Sequence, residues 1–366
     1  MTRVVIETAS LVDAVRKACQ VAPSRGAAFD KAAGVFIEIY PGEDFPVILR
    51  ATNLDVYFMQ WIPAVEVEGK AAKWRVASST LLDVANSLPM SSGAQVTLQD
   101  DGQRLRISQR RINGRLNVMI AGSYPIWQPF DPTDLKEVTG LASAMQRVEW
   151  AAAKGEIIAG IRFNGENIVA TDKYKVAAMP MELDLEQEFV IRAKMLSGVL
   201  PPNAPVRLGF NGDMMQIMPD DTTQVMALAM AGDYIKIDSV MNRKKPNEVR
   251  IHRASLISML NRALSIKGSD RNPILRVFIG REEVAAFMSN DSLNELGDVI
   301  ETPGYADHKR VEIRFTPDSI IPALDNSPGD DVTLLYDLEH LNRPVYIKGE
   351  QGYECWVAVK RGGDND

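Results

Sequence analysis

The sequence predicts an α+β fold in which one domain is written three times. Two observations predict it. A short segment, Ala170-Thr171-Asp172-Lys173-Tyr174-Lys175-Val176-Ala177, has a relative in Ala51-Thr52-Asn53-Leu54-Asp55-Val56 and a fainter one in Ser289-Asn290-Asp291. Asn53, Asp172 and Asp291 are each 119 residues apart, the signature of an internal repeat. Each third of the chain also carries the same succession of helical periodicity and turn-separated strands.

Every third opens with a strand and then a helix. The helices are expected at Ser10 to Gln20, Leu141 to Ala151 and Ala254 to Leu264, where apolar residues recur at spacings of three and four. Thr8 or Ser10 is the expected cap of the first. A shorter helix is expected later in each third, at Ser79 to Leu88, Lys194 to Leu200 and Asp318 to Leu324. Each is followed by a proline, Pro89, Pro201 or Pro328, which cannot continue it. Asn164-Gly165, Asn211-Gly212 and Asp101-Gly102 are hairpin dipeptides. Each third closes with a hairpin: Leu105 to Ile107 with Leu116 to Val118, Met215 to Ile217 with Val225 to Ala227, and Val345 to Ile347 with Cys355 to Val359. The predicted unit has two helices and about eight strands. Linkers are expected near Tyr124 to Leu135 and Asn242 to Asn247, which gives domains 1–125, 126–245 and 246–366.

The chain has 366 residues, enough for two or three domains that each bury a core. No apolar run is long enough to span a membrane, and the first residues lack a signal-peptide pattern, so a cytoplasmic protein is expected. Cys19 and Cys355 are expected to be free, reduced thiols. Net charge is −7, which disfavours a protein that coats nucleic acid, unless its cations are gathered on one surface. They are gathered in part. The six helical segments together carry +4, leaving −11 for the rest of the chain. If repeated domains present their helices on one side, that side is basic within an acidic protein.

Catalytic chemistry is hard to find. No Gly-rich phosphate loop is present. His252, His308 and His340 stand apart from one another and from both cysteines, so no metal site or cofactor is expected, and His252 reads as a surface or capping residue. Asp220-Asp221 and Asp330-Asp331 fall in turns and read as solvated loops. No nucleophile stands beside a base, and an enzyme with a dispersed active site is the weakest reading.

The pattern resembles the bacterial DNA polymerase III beta subunit, the sliding clamp, over nearly the whole chain. Ala170 to Ala177 is similar to that family's Ala-Thr-Asp-Gly-His-Arg-Leu-Ala segment. Lys348-Gly349-Glu350-Gln351-Gly352-Tyr353 resembles its last hairpin, and the first helix with Ser24-Arg25 resembles its opening. The resemblance implies three clamp domains per chain and a head-to-tail homodimeric ring. Helices would line the hole and antiparallel sheets would form the outside. Double-stranded DNA would be encircled without regard to sequence, and a DNA polymerase and the clamp loader would be the protein partners. The alternative is a clamp-like scaffold or decoy that binds peptides without encircling DNA.

The residues implied for DNA are Arg16, Lys17, Arg25, Arg147, Arg192, Lys194, Arg253 and Arg262. A mildly basic bore would hold duplex loosely enough to slide. The implied peptide pocket comprises Ile158, Thr171, Lys173, Tyr174, Lys175, Val176, Ile235, Ser239, Val240, Trp356, Val357, Ala358, Val359 and Arg361. Val176, Ile235, Val240 and Val359 would form its floor, with Tyr174 and Trp356 as anchors or gates. The implied ring interface includes Leu116, Ser265 and Ile266. The chain departs from the family pattern at Lys173 (a glycine there), Tyr174 (a histidine), Val359-Lys360 (Pro-Met) and Gly362 (the terminal leucine), which marks a divergent member with a retuned pocket.

Overall fold

The structure, a computed structural model, describes the chain except residues 24–30, 121–123, 128, 130, 132–133, 156, 186, 194–195, 197, 238–245, 270, 290–293, 302–307 and 361–366. The chain divides into two compact units, residues 1–142 with 195–229, and residues 143–194 with 230–366.

The first unit is built on a 13-stranded antiparallel sheet. Its strands run, in spatial order, Lys136–Thr139, Pro205–Asn211, Met214–Asp220, Thr223–Leu228, Val56–Ile62, Val47–Thr52, Val35–Ile39, Ala72–Val76, Ile112–Met119, Arg104–Gln109, Gln95–Asp100, Arg3–Glu7 and Glu66–Glu68. Two helices, α1 (Thr8–Val21) and α2 (Ser78–Ser87), pack against each other. α1 buries Leu11, Val12, Val15, Ala18 and Val21, one apolar stripe, against the strands Val47–Thr52 and Val56–Ile62. The third helix, α3 (Leu141–Glu149), belongs mainly to the second unit.

The second unit has an eight-stranded and a four-stranded sheet, both antiparallel. The first runs Phe189–Arg192, Gly160–Phe163, Asn167–Thr171, Lys175–Pro180, Glu354–Val357, Val345–Lys348, Asp331–Tyr336 and Asn247–His252. The second runs Glu295–Glu301, Glu283–Ser289, Leu275–Ile279 and Val311–Phe315. Helices α4 (Arg253–Leu264) and α5 (Pro317–Asp325) pack together, and α4 also covers the strands Glu283–Ser289 and Glu295–Glu301.

The order expected of each third is present: strand then helix at Arg3–Glu7 and α1, Lys136–Thr139 and α3, and Asn247–His252 and α4. The three closing hairpins pair as expected, with Leu105 opposite Leu116, Met215 opposite Ala227, and Val345 opposite Val357. His252 caps α4, its ring nitrogen accepting from the Ser255 N–H at 3.4 Å. Two expectations need correction. Neither Thr8 nor Ser10 caps α1. The cap position is Glu7, without a side-chain bond, because Thr8 is already helical and its buried hydroxyl accepts from Gln109 Nε2 at 2.9 Å. The short helix expected from Lys194 to Leu200 lies partly outside the described residues. Those described form a single turn, with the Val199 and Leu200 N–H groups donating to Leu196 O. Both cysteines are free; Cys355 is buried and Cys19 half-buried.

Candidate partner and nucleic-acid surfaces

The repeated segment folds into one turn, used twice with the same bonds. In the first unit, Thr52 Oγ1 donates to Val56 O at 2.8 Å, and Asn53 Oδ1 accepts from the N–H groups of Asp55 and Val56. In the second, Thr171 Oγ1 donates to Lys175 O at 2.7 Å, and Asp172 Oδ1 accepts from Tyr174 and Lys175. An Asn or Asp in this place folds the backbone over its own side chain. The residue after it is forced into the left-handed region, Leu54 at φ 78° and Lys173 at φ 81°. The third copy, at 290 and 291, lies outside the described residues.

This turn sets the start of the strand Lys175–Pro180, which places Val176 opposite Trp356. Val176 and Trp356 pack with Val169, Ala178, Ile237 and Tyr346, and Ile235 and Leu335 lie against them. Tyr346 and Trp356 stack with ring centroids 4.5 Å apart. Ile158 belongs to a neighbouring cluster with Val190 and Tyr234, and Ile235 touches both clusters. Burial pushes the Tyr234 hydroxyl up to about 12. Thr171 and Val357 are buried, and Ala358 and Val359 half-buried. Tyr174 stands out at 73% exposed, while its carbonyl accepts from the Ala358 N–H at 2.8 Å. Lys175 pairs with Asp172 at 3.3 Å and lies over the Trp150 ring. Trp356 is thus packed floor and Tyr174 an open rim. Ser239, Val240 and Arg361 lie outside the described residues.

The basic residues implied for DNA do not share one environment. On α1, Arg16 is exposed and donates to Asn86 of α2 at 2.9 Å, while Lys17 pairs with Asp13 at 2.7 Å. Arg147 donates to Asn326 O at 2.9 Å, and Arg253 donates to Gly329 O at 2.8 Å and Leu324 O at 3.5 Å. Those carbonyls end or follow α5, so both arginines satisfy and neutralise its C-terminus. Arg262 pairs with Asp298 and donates to Ser258 Oγ at 2.6 Å. Arg192 is exposed at the end of its strand. Arg25 and Lys194 lie outside the described residues.

Among the described residues, two sheet borders are open, one rich in arginine and one in carboxylates. The strand Ile112–Met119 pairs along Arg104–Gln109, but meets Ala72–Val76 only at Val118 and Met119. Residues 104–119 hold Arg104, Arg106, Arg110, Arg111 and Arg115 and no acid. Leu116 is buried within this hairpin. The strand Glu295–Glu301 is the edge of the four-stranded sheet and carries Glu295, Asp298 and Glu301. Between it and α4 lies a groove of about 710 Å³ lined by Ile257, Ser258, Arg262, Ser265, Leu296 and Asp298, among others. Ser265 is exposed there and the neighbouring Ile266 is half-buried. Gly297 has no room for a side chain, because a Cβ would stand 2.4 Å from the Phe287 ring.

Several of these residues were missed from sequence: Ile237 and Tyr346 in the packed floor, and Leu296 and Asp298 in the groove. One available signal is a second repeat. Tyr124-Pro125-Ile126-Trp127 and Tyr234-Ile235-Lys236-Ile237 each follow an Ala-Gly pair by one residue. In both, the tyrosine and the residue three beyond it are buried. Trp127 packs on Tyr57, Met59 and Met226, the positions that correspond to Val176, Ala178 and Trp356 in the other copy.

No family model matches the chain. The beta sliding clamp of Micrococcus luteus is 25% identical over 244 residues, 60% of this chain and 75% of that protein. The DNA polymerase III beta subunit of Thermotoga maritima superposes with a TM-score of 0.86 at 19% identity, covering 99% of this chain and all of the other. The Bacillus subtilis sliding clamp gives 0.85 at 16% identity, with the same coverage. The class is therefore settled: this is the DNA sliding-clamp fold. Within it, the chain is similar in sequence and fold to the beta subunit of bacterial DNA polymerase III, as a distant relative. Among the described residues, no helix is long and apolar enough to cross a membrane, and no group of three His, Cys, Asp or Glu stands ready for a metal.

Proposed function

We propose that the protein is a DNA sliding clamp, a processivity factor without catalytic activity of its own. It encircles duplex DNA as a head-to-tail ring of two chains and tethers a polymerase through a peptide-binding surface. Each chain supplies three domains, residues 1–125, 126–245 and 246–366, and the ring works in the cytoplasm. The observation that carries this reading is the fit of 99% of the chain to the clamp fold.

Ring closure follows from the two open borders. The arginine-rich hairpin of one chain meets the acidic edge strand and the adjoining groove of the next, where Ser265 and Ile266 lie. An edge strand with unpaired backbone groups is a template for another strand, and opposite charge selects the right one. Because the two patches differ, the contact is heterologous, and two copies close it into a ring. Arg16, Lys17 and Arg192 face the duplex, and the family resemblance assigns Arg25 and Lys194 to it as well. Arg147 and Arg253 serve α5 first and add only a diffuse positive field.

Topology supplies the test. Protein loaded on a closed DNA circle stays through gel filtration and runs off once the circle is cut. The Arg192→Glu, Lys194→Glu double variant loses that retention. Equal release from circle and linear DNA would instead leave a peptide-binding scaffold.

A further inference from the structure

We propose that the partner surface around Tyr174 selects an acidic segment that lies along its rim, with an aromatic side chain against Tyr174. This rests on the partner-docking reading above and names the chemistry of the partner.

The described residues of the apolar floor are packed together. Trp356 is 2% exposed and stacks on Tyr346, with Val176, Ala178 and Ile237 closing around them. The rim is open. Tyr174 is 73% exposed, a large amphipathic face of the kind that anchors interfaces. Lys173, Lys236 and Lys360 are exposed, one on the turn itself and two on segments that adjoin the floor. Lys173 is its chain neighbour. Lys360 lies two residues beyond Ala358, whose N–H donates to the Tyr174 carbonyl. Lys236 stands between Ile235 and Ile237, both packed on the floor beside Val176.

Among the described residues none of these three lysines is held in an ion pair. The nearby carboxylate does not cancel them. Asp172 is occupied by the N–H groups of Tyr174 and Lys175 and by the Lys175 ammonium. Three lysines without an ion pair among the described residues, on the segments that carry and adjoin an exposed aromatic ring, favour carboxylates and an aromatic group in the ligand, and disfavour a basic one.

The test uses the full-length protein and two fluorescent peptides. One has a phenylalanine flanked on both sides by aspartates; the other has asparagine at those flanking positions. Anisotropy titrations should show the acidic peptide binding about tenfold tighter, with the gap narrowing as salt rises from about 50 to about 300 mM. Lys173→Gln, Lys236→Gln, Lys360→Gln in one chain should abolish the preference, and Tyr174→Ala should weaken both peptides. All four side chains are exposed, so the fold should tolerate these changes. Equal affinity for the two peptides, or a preference that survives in the triple variant, overturns the proposal and leaves the docking reading standing. Binding of neither peptide at about millimolar concentration overturns both.

Discussion

Lys173 holds a left-handed backbone, φ 81°, that costs a lysine about 1 kcal/mol and a glycine almost nothing. Lys173→Gly should therefore raise stability by up to about 1 kcal/mol in a urea titration, unless the freer unfolded chain offsets it. A clear loss of stability would mean that the lysine side chain makes contacts beyond its backbone. Glu38 is the opposite case, a charged group placed where charge is costly. It is 1% exposed and receives Arg50 at 2.6 Å, Lys73 at 2.9 Å and the Tyr40 hydroxyl at 2.8 Å. Burial pushes its carboxyl up, but the bonds from Lys73, Arg50 and Tyr40 outweigh it, and the net direction is down. A lowered folded value means that the unfolded chain takes up the proton first. The stabilisation is complete above the ordinary glutamate range and is lost as pH falls through it toward the folded value. Glu38→Gln should cost about 3 kcal/mol near neutral pH and flatten the acid side of the stability profile. An unchanged profile would remove Glu38 from that account.

Elements were more legible than residues. Periodicity located α1, α2, α3, α4 and α5 to within a few residues at either end, because each buries one apolar stripe. The repeated Thr-Asn and Thr-Asp turns were visible because an Asx side chain fixes its own backbone locally. The cap of α1 was not visible, since Thr8 is committed to Gln109, 101 residues away. The same limit hid the role of two arginines. Nothing in the sequence near Arg147 or Arg253 says that α5 will end against them. Arg253→Met should cost about 1–2 kcal/mol by leaving the Gly329 and Leu324 carbonyls without their charged donor. DNA retention per folded molecule should fall far less than in the Arg192→Glu, Lys194→Glu variant. Comparable losses of retention would assign Arg253 to the duplex after all.

At the scale of the molecule, the repeat pointed to the fold class, but the charge pattern along the chain was read only for a basic helical surface and said nothing of the proposed contact between two chains. The pairing order was needed to see that the Arg104 to Arg115 hairpin and the Glu295–Glu301 strand are both open borders. This leads to a charge-swap prediction. Arg104→Glu, Arg106→Glu, Arg115→Glu in one chain should give a monomer, as should Glu295→Arg, Asp298→Arg, Glu301→Arg in another. Mixed, each variant presents the charge the other lacks at both junctions, so a one-to-one heterodimer should form. Failure of the mixture to pair, with both variants folded, would place the interface elsewhere.

The central claim is a closed two-chain ring, and solution mass by light scattering over a concentration series tests it most directly. The account predicts a species of twice the chain mass that persists on dilution and weakens as salt screens the arginine and carboxylate borders. A single-chain mass at every concentration would contradict it.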